Sequence, residues 1–114
     1  MITYWHNPRC SKSRAGLALL EERGVAFTPR LYLQDAPTQE EVKALQQALD
    51  LPAIDMMRRG EKLFKELGLG KDSSDAELIA AMAANPILIE RPIAVKDGKA
   101  VIGRPTEALE ALLD

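Results

Sequence analysis

The sequence predicts an α/β fold: strand-helix-strand, a helical block, then two strands and a closing helix. Three observations carry this. A short β-prone, apolar run at 2–5 leads through His6-Asn7-Pro8 into a helical stretch and a second strand-like run. Two capping boxes, Thr38 with Glu41 and Ser74 with Glu77, mark helix starts in the middle of the chain. Asp97-Gly98 separates two further β-prone runs, as a tight hairpin turn requires.

Taken in order, the loop signal at His6-Asn7-Pro8 ends the first strand. A helix is expected over about 11–23, stopped by Gly24, which tolerates the left-handed position after a helix. A second strand is expected over about 26–33. Pro29 falls inside it, and a residue without a ladder donor belongs at an edge or a bulge. From Thr38 a helix runs to about Asp50 with Val42, Leu45 and Leu49 on one face. One or two short helices follow over about 54–67, broken near Gly60. The helix opened by Ser74 presents Leu78, Ile79 and Met82 and stops at Asn85-Pro86. Strands at 93–96 and 99–102 flank the hairpin, and Pro105 opens a last helix with Leu109, Leu112 and Leu113 on its apolar side. A βαβ start with a ββα end is a thioredoxin-like layout. The expectation is one such domain over 1–114, with a helical insertion at about 35–88.

At 114 residues, 46% hydrophobic and 28% charged, the chain has the composition of a globular protein with one core. A net charge of -2 gives no reason to expect nucleic acid or an anionic membrane as partner. No apolar run approaches the roughly 18 residues of a membrane span. The first five residues lack the basic flank of a secretory signal. One cysteine cannot form an internal disulfide, so the fold does not depend on an oxidising compartment. A cytoplasmic location and a monomer are expected. One Cys and one His four residues apart fall short of a zinc site, and no metal is expected.

The sharpest local feature is His6-Asn7-Pro8-Arg9-Cys10-Ser11-Lys12-Ser13-Arg14, at a strand-to-helix junction. A lone cysteine is most often a small buried hydrophobe. At a helix start, however, unpaired backbone N–H groups and the positive dipole end favour thiolate over thiol and also cradle an anion. Arg9, Lys12 and Arg14 add charge nearby, and His6 would add more if protonated and turned inward. Ser13 either faces solvent in the first turn or hydrogen-bonds the Cys10 sulfur. Position 13 is serine rather than a second cysteine, so any oxidised form of Cys10 must be resolved by an external thiol.

Four ordered segments resemble the glutaredoxin-dependent arsenate reductase family in its bacterial, thioredoxin-fold form. They are the motif at 6–14, Met57-Arg58-Arg59 with Lys65-Glu66-Leu67-Gly68-Leu69, Asn85-Pro86-Ile87-Leu88-Ile89-Glu90-Arg91-Pro92-Ile93, and Gly103-Arg104-Pro105-Thr106-Glu107. The resemblance implies that Cys10 is the nucleophile and that His6 and Ser13 help to activate it. It implies that Arg58, Arg91 and Arg104 bind the arsenate oxyanion and that Arg91-Pro92 is cis. Helical register alone leaves either Arg58 or Arg59 to face the anion. The resemblance further implies no bound cofactor, glutathione as co-substrate and a glutaredoxin as protein partner. Guanidinium groups suit such an anion because they offer paired donors to its oxygens. Two other functions compete: a thioredoxin-fold adaptor that binds a protein such as RNA polymerase, and a thiol reductase of another substrate, such as an organic disulfide. Phosphatase chemistry is disfavoured, because a Cys-x5-Arg loop would need arginine where Gly16 stands.

Overall fold

The computed structural model describes residues 1–113. The chain forms two compact units: Met1–Asp35 together with the segment from Arg91 onward, and Ala36–Glu90 between them in sequence.

The first unit is the α/β part. Strands β1 (Ile2–Trp5), β2 (Phe27–Arg30), β3 (Ile93–Lys96) and β4 (Lys99–Ile102) form one sheet in the order β2-β1-β3-β4. β2 runs parallel to β1, while β3 is antiparallel to both β1 and β4. Helix α1 (Ser11–Glu22) makes the crossover from β1 to β2. The layout is thioredoxin-like, as the element order predicts. Period-two alternation sends Ile2 and Tyr4 to one face, where they meet Leu20 of α1, Ala94 of β3 and, near the end of the chain, Leu109 and Leu112. Trp5 points the other way, against Tyr32 at 5.9 Å between ring centroids and beneath the Arg30 guanidinium at 4.9 Å.

Helix α1 ends where glycine predicts: Arg23 is the C-cap and Gly24 follows at φ +67. β2 is shorter than the expected 26–33, because the Gln34 and Asp35 amides donate to the Leu31 carbonyl and turn the chain after Arg30. Its Pro29 lies on an edge strand, where the missing donor costs no ladder bond to a second neighbour. The hairpin turn places Asp97 at φ 51 and Gly98 at φ 79, the left-handed pair of a type I′ turn. The closing helix, Thr106–Leu112, is 3-10 rather than α. In a three-residue turn, side chains three apart eclipse, and this aligns Leu109 with Leu112 on the buried side.

The second unit is helical: α2 (Gln39–Leu49), a 3-10 turn at Ala53–Met56, α3 (Lys62–Glu66), α4 (Asp75–Ala84) and a 3-10 turn at Pro86–Leu88. Both capping boxes form with both of their hydrogen bonds. Val42 and Leu45 are buried and Leu49 is half-buried. Met57 bridges to Ile89, so the segment after the first 3-10 turn is extended before α3 begins.

Replacing Thr38 with Ala removes the acceptor for the Glu41 amide at 3.1 Å. Urea unfolding of Thr38→Ala is expected to show a loss of about 1 kcal/mol, and an unchanged midpoint would show that this cap carries no stability.

Candidate active site

The site is built in the first unit around the turn between β1 and α1. The loop is held by its own polar groups. The Cys10 amide donates to the Asn7 carbonyl at 3.0 Å, the Arg9 amide donates to Asn7 Oδ1 at 3.1 Å, and Arg14 Nη1 donates to the Pro8 carbonyl at 2.9 Å. Arg14 thus binds the loop backbone rather than a carboxylate.

Cys10 is the N-cap of α1, with extended backbone and no side-chain cap for the helix amides. Its carbonyl accepts the Arg14 amide at 3.0 Å, the first bond of the helix. Cys10 is half-buried, and no acidic residue lies in the first turn. Burial pushes the thiol pKa up. The backbone amides of Ser13 and Lys12 and the charge and hydrogen bond of Arg91 outweigh it and leave the pKa below its ordinary value.

Ser13 and His6 are buried in the same loop and first turn. Ser13 is 0% exposed and His6 6%. The Ser13 hydroxyl lies 2.7 Å from His6 Nδ1 and accepts the Asn7 amide at 3.0 Å. Neither expected role for the Ser13 side chain is met: it is buried and bonded to His6 and Asn7, and its backbone amide is what faces the Cys10 sulfur. Burial first, and the Arg14 charge second, lower the His6 pKa and so favour the neutral ring.

Two arginines reach the site from the far end of the sequence. Arg104 Nη2 lies 3.9 Å from Cys10 Sγ, and Arg104 Nε donates to the Arg91 carbonyl at 2.8 Å. Each precedes a cis proline, Arg91-Pro92 as expected and Arg104-Pro105 in addition. The Gly103 amide donates to the Pro92 carbonyl at 2.8 Å. A Cβ at Gly103 would stand 2.8 Å from Pro92 Cγ and 3.1 Å from Leu109, so only glycine lets these two segments close on each other. Gly103 was legible only as part of a motif, because its reason is a neighbour distant in sequence.

Cys10, His6, Ser13, Arg91 and Arg104 are therefore brought together in one unit. Arg58 belongs to the second unit, where it is half-buried, its Nη2 3.2 Å from Glu61 Oε2 and its amide donating to the Leu88 carbonyl at 2.8 Å. Arg59 is exposed, 4.0 Å from Asp55. Among the described residues, no group of three or more His, Cys, Asp or Glu is placed to hold a metal ion, and no helix is long and apolar enough to cross a membrane. The arrangement offers a thiolate beside fixed amide donors and two guanidinium groups, which suits nucleophilic attack on an oxyanion.

Known proteins share this sequence and shape. The family model described as the ArsC family matches residues 5–112. A protein of Neisseria meningitidis serogroup A named "Arsenate reductase" is 49% identical over 114 residues, covering 98% of this chain and 97% of its own. "Uncharacterized protein YfgD" of Escherichia coli K12 is 47% identical over 108 residues, covering 93% of this chain and 91% of its own. A solved structure, "Arsenate reductase from Vibrio cholerae", superposes with a TM-score of 0.91 at 51% identity, covering 96% of this chain and 95% of that one.

The geometry can be tested at Arg91 and at His6. Arg91→Ala removes both a charge and a hydrogen bond from the sulfur. The pH profile of Cys10 alkylation should therefore move to higher pH; an unmoved profile would remove Arg91 from the site. His6 titrates at about pH 6.5 when unfolded and lower than that when folded. The stability that its neutral burial contributes is full above that pH and is lost as pH falls through the lower folded value. His6→Gln should therefore flatten the fall in urea midpoint between about pH 7 and about pH 5; equal slopes in the two proteins would contradict the neutral assignment.

Proposed function

The chain belongs to the ArsC family, and on that footing we propose that it reduces arsenate to arsenite with Cys10 as its single nucleophile. The observation that supports this most directly is the sulfur at the N-cap of α1 with Arg104 Nη2 at 3.9 Å, the thiol pKa lowered by the helix amides and by Arg91.

In this reading arsenate docks on Arg91 and Arg104. Arg58 is assigned as a third oxyanion ligand on the family resemblance alone. The thiolate attacks arsenic(V), an S–As bond forms and an As–O bond breaks, and the oxygen leaves as water after protonation. The thiol of glutathione then displaces a second oxygen, also as water. The two sulfurs supply the two electrons: arsenic(III) departs as an S–S bond forms between Cys10 and glutathione, and one water adds back to it to give arsenite. A glutaredoxin thiol attacks the glutathione sulfur and releases Cys10 as thiolate. Ser13 occupies the position where a resolving cysteine would stand, and this is why the reductant is assigned to the outside. No bound cofactor takes part. A neutral His6 held by Ser13 serves to orient the loop rather than to supply charge. A requirement for reduced glutathione suits a reducing compartment such as the cytoplasm.

The test couples arsenate reduction to NADPH oxidation through glutathione, glutaredoxin and glutathione reductase. Wild type should turn over, and Cys10→Ser should lose at least about 100-fold in kcat while its circular dichroism is unchanged. Arg104→Ala should lower kcat/KM for arsenate about tenfold or more, the magnitude of a lost charge-assisted hydrogen bond. Substantial activity retained by Cys10→Ser would end the proposal. Turnover of an organic disulfide with none of arsenate would transfer the site to another thiol reduction, and neither activity would favour the adaptor.

A further inference from the structure

Every polar group of Ser13 is engaged. Its amide faces the Cys10 sulfur, its hydroxyl meets His6 and the Asn7 amide, and its carbonyl accepts the Tyr4 hydroxyl at 2.6 Å. Tyr4 is 0% exposed and lies on the core face of β1, in register with Ala94 on one side and Pro29 on the other. Its ring is 5.6 Å from that of His6 and meets Phe27 edge-on at 6.3 Å. The hydroxyl thus reaches from the sheet into the first turn of α1. Burial, the larger effect, and the nearby Cys10 charge push the phenol pKa up to about 12, so the group remains a donor.

Helix α1 accommodates this reach through Gly16, which is buried. A Cβ at position 16 would collide with the Tyr4 hydroxyl and lie 3.0 Å from Leu109 Cδ1. Mid-helix glycine costs about 1 kcal/mol relative to alanine in an open position, so its presence here corresponds to a space that the phenol fills.

We propose that Tyr4 is a positioning residue for Cys10: its hydroxyl, admitted by Gly16, fixes the Ser13 peptide so that the first turn of α1 presents its amides to the sulfur. The inference rests on the reading of Cys10 as nucleophile and adds a residue that touches neither substrate nor sulfur. The link is direct. The Ser13 carbonyl and the Arg14 amide belong to one peptide group, and that amide donates to the Cys10 carbonyl at 3.0 Å. A hydrogen bond onto the carbonyl end strengthens donation from the other end, which ties Tyr4 to the backbone of Cys10 through a single peptide.

The test titrates the Cys10 thiol by its alkylation rate against pH with no arsenate present, so it stands apart from the identity of the substrate. Tyr4→Phe should raise the thiol pKa by about half a unit, leaving about threefold less thiolate at pH values below it. Gly16→Ala, which forces the hydroxyl away while keeping the ring, should shift the pKa in the same direction. In the Tyr4→Phe background, Gly16→Ala should add no further shift, because both changes act through one hydroxyl. A purely structural role predicts a different pattern: a lower melting temperature in Tyr4→Phe with the thiol titration unmoved, and this result would overturn the proposal. If Tyr4→Phe does not fold, Gly16→Ala decides alone, and an unshifted thiol in that variant is equally fatal.

Discussion

The first turn of an α-helix carries amides that have no partner within the helix, and they must be satisfied by something placed over them. In α1 that place is held by Cys10, whose side chain makes no ordinary cap. Hydroxyl and carboxylate caps accept from such amides as oxygen; Cys10 makes no such side-chain hydrogen bond, and the Lys12 and Ser13 amides act on its sulfur by favouring the deprotonated form. The need of the helix for an acceptor and the need of the chemistry for a thiolate are the same need. Everything else in the site either strengthens that arrangement or brings a ligand to it.

The strengthening comes from both directions along the chain. At the N-terminal end, the Ser13 hydroxyl ties His6 and the Asn7 amide to α1, so the loop that carries Cys10 is a closed set of short hydrogen bonds. At the other end, two Arg-Pro segments from the C-terminal part of the α/β unit close on each other across Gly103 and join through the bond from Arg104 Nε to the Arg91 carbonyl. The Arg91 guanidinium lowers the thiol pKa, and both groups remain suited to paired donation toward an oxyanion. A half-buried sulfur among cations would titrate quite differently from the same sulfur in an apolar pocket, where burial alone would hold it protonated.

Local signals were legible wherever the physics is local. Both capping boxes, the Gly24 stop and the Asp97-Gly98 turn each depend on residues within four positions, and each forms where the sequence places it. The end of β2 was not legible, because the turn that cuts it short is set by backbone bonds to Leu31 rather than by a glycine or proline. Nor was the 3-10 character of the closing segment, since a pattern of leucines three and four apart fits either helix. In the site, Cys10 could be placed from its loop alone. Arg91 and Arg104 came from family resemblance, since nothing local marks an arginine before proline as a ligand. The partner of the Ser13 hydroxyl, the neutrality of His6, and the Tyr4–Gly16 pair are properties of three-dimensional packing, so the sequence could not assign them.

The central claim is that the fold holds Cys10 as a thiolate. Its most direct test is the ultraviolet absorbance of the thiolate, followed through a pH titration of the native protein and of the same protein unfolded in urea, with Cys10→Ser as the blank. The native titration should fall clearly below the unfolded one, since the helix amides and Arg91 act only in the folded chain. Coincident titrations, or a native value above the unfolded one, would mean that burial outweighs the donors and that the site does not prepare its nucleophile.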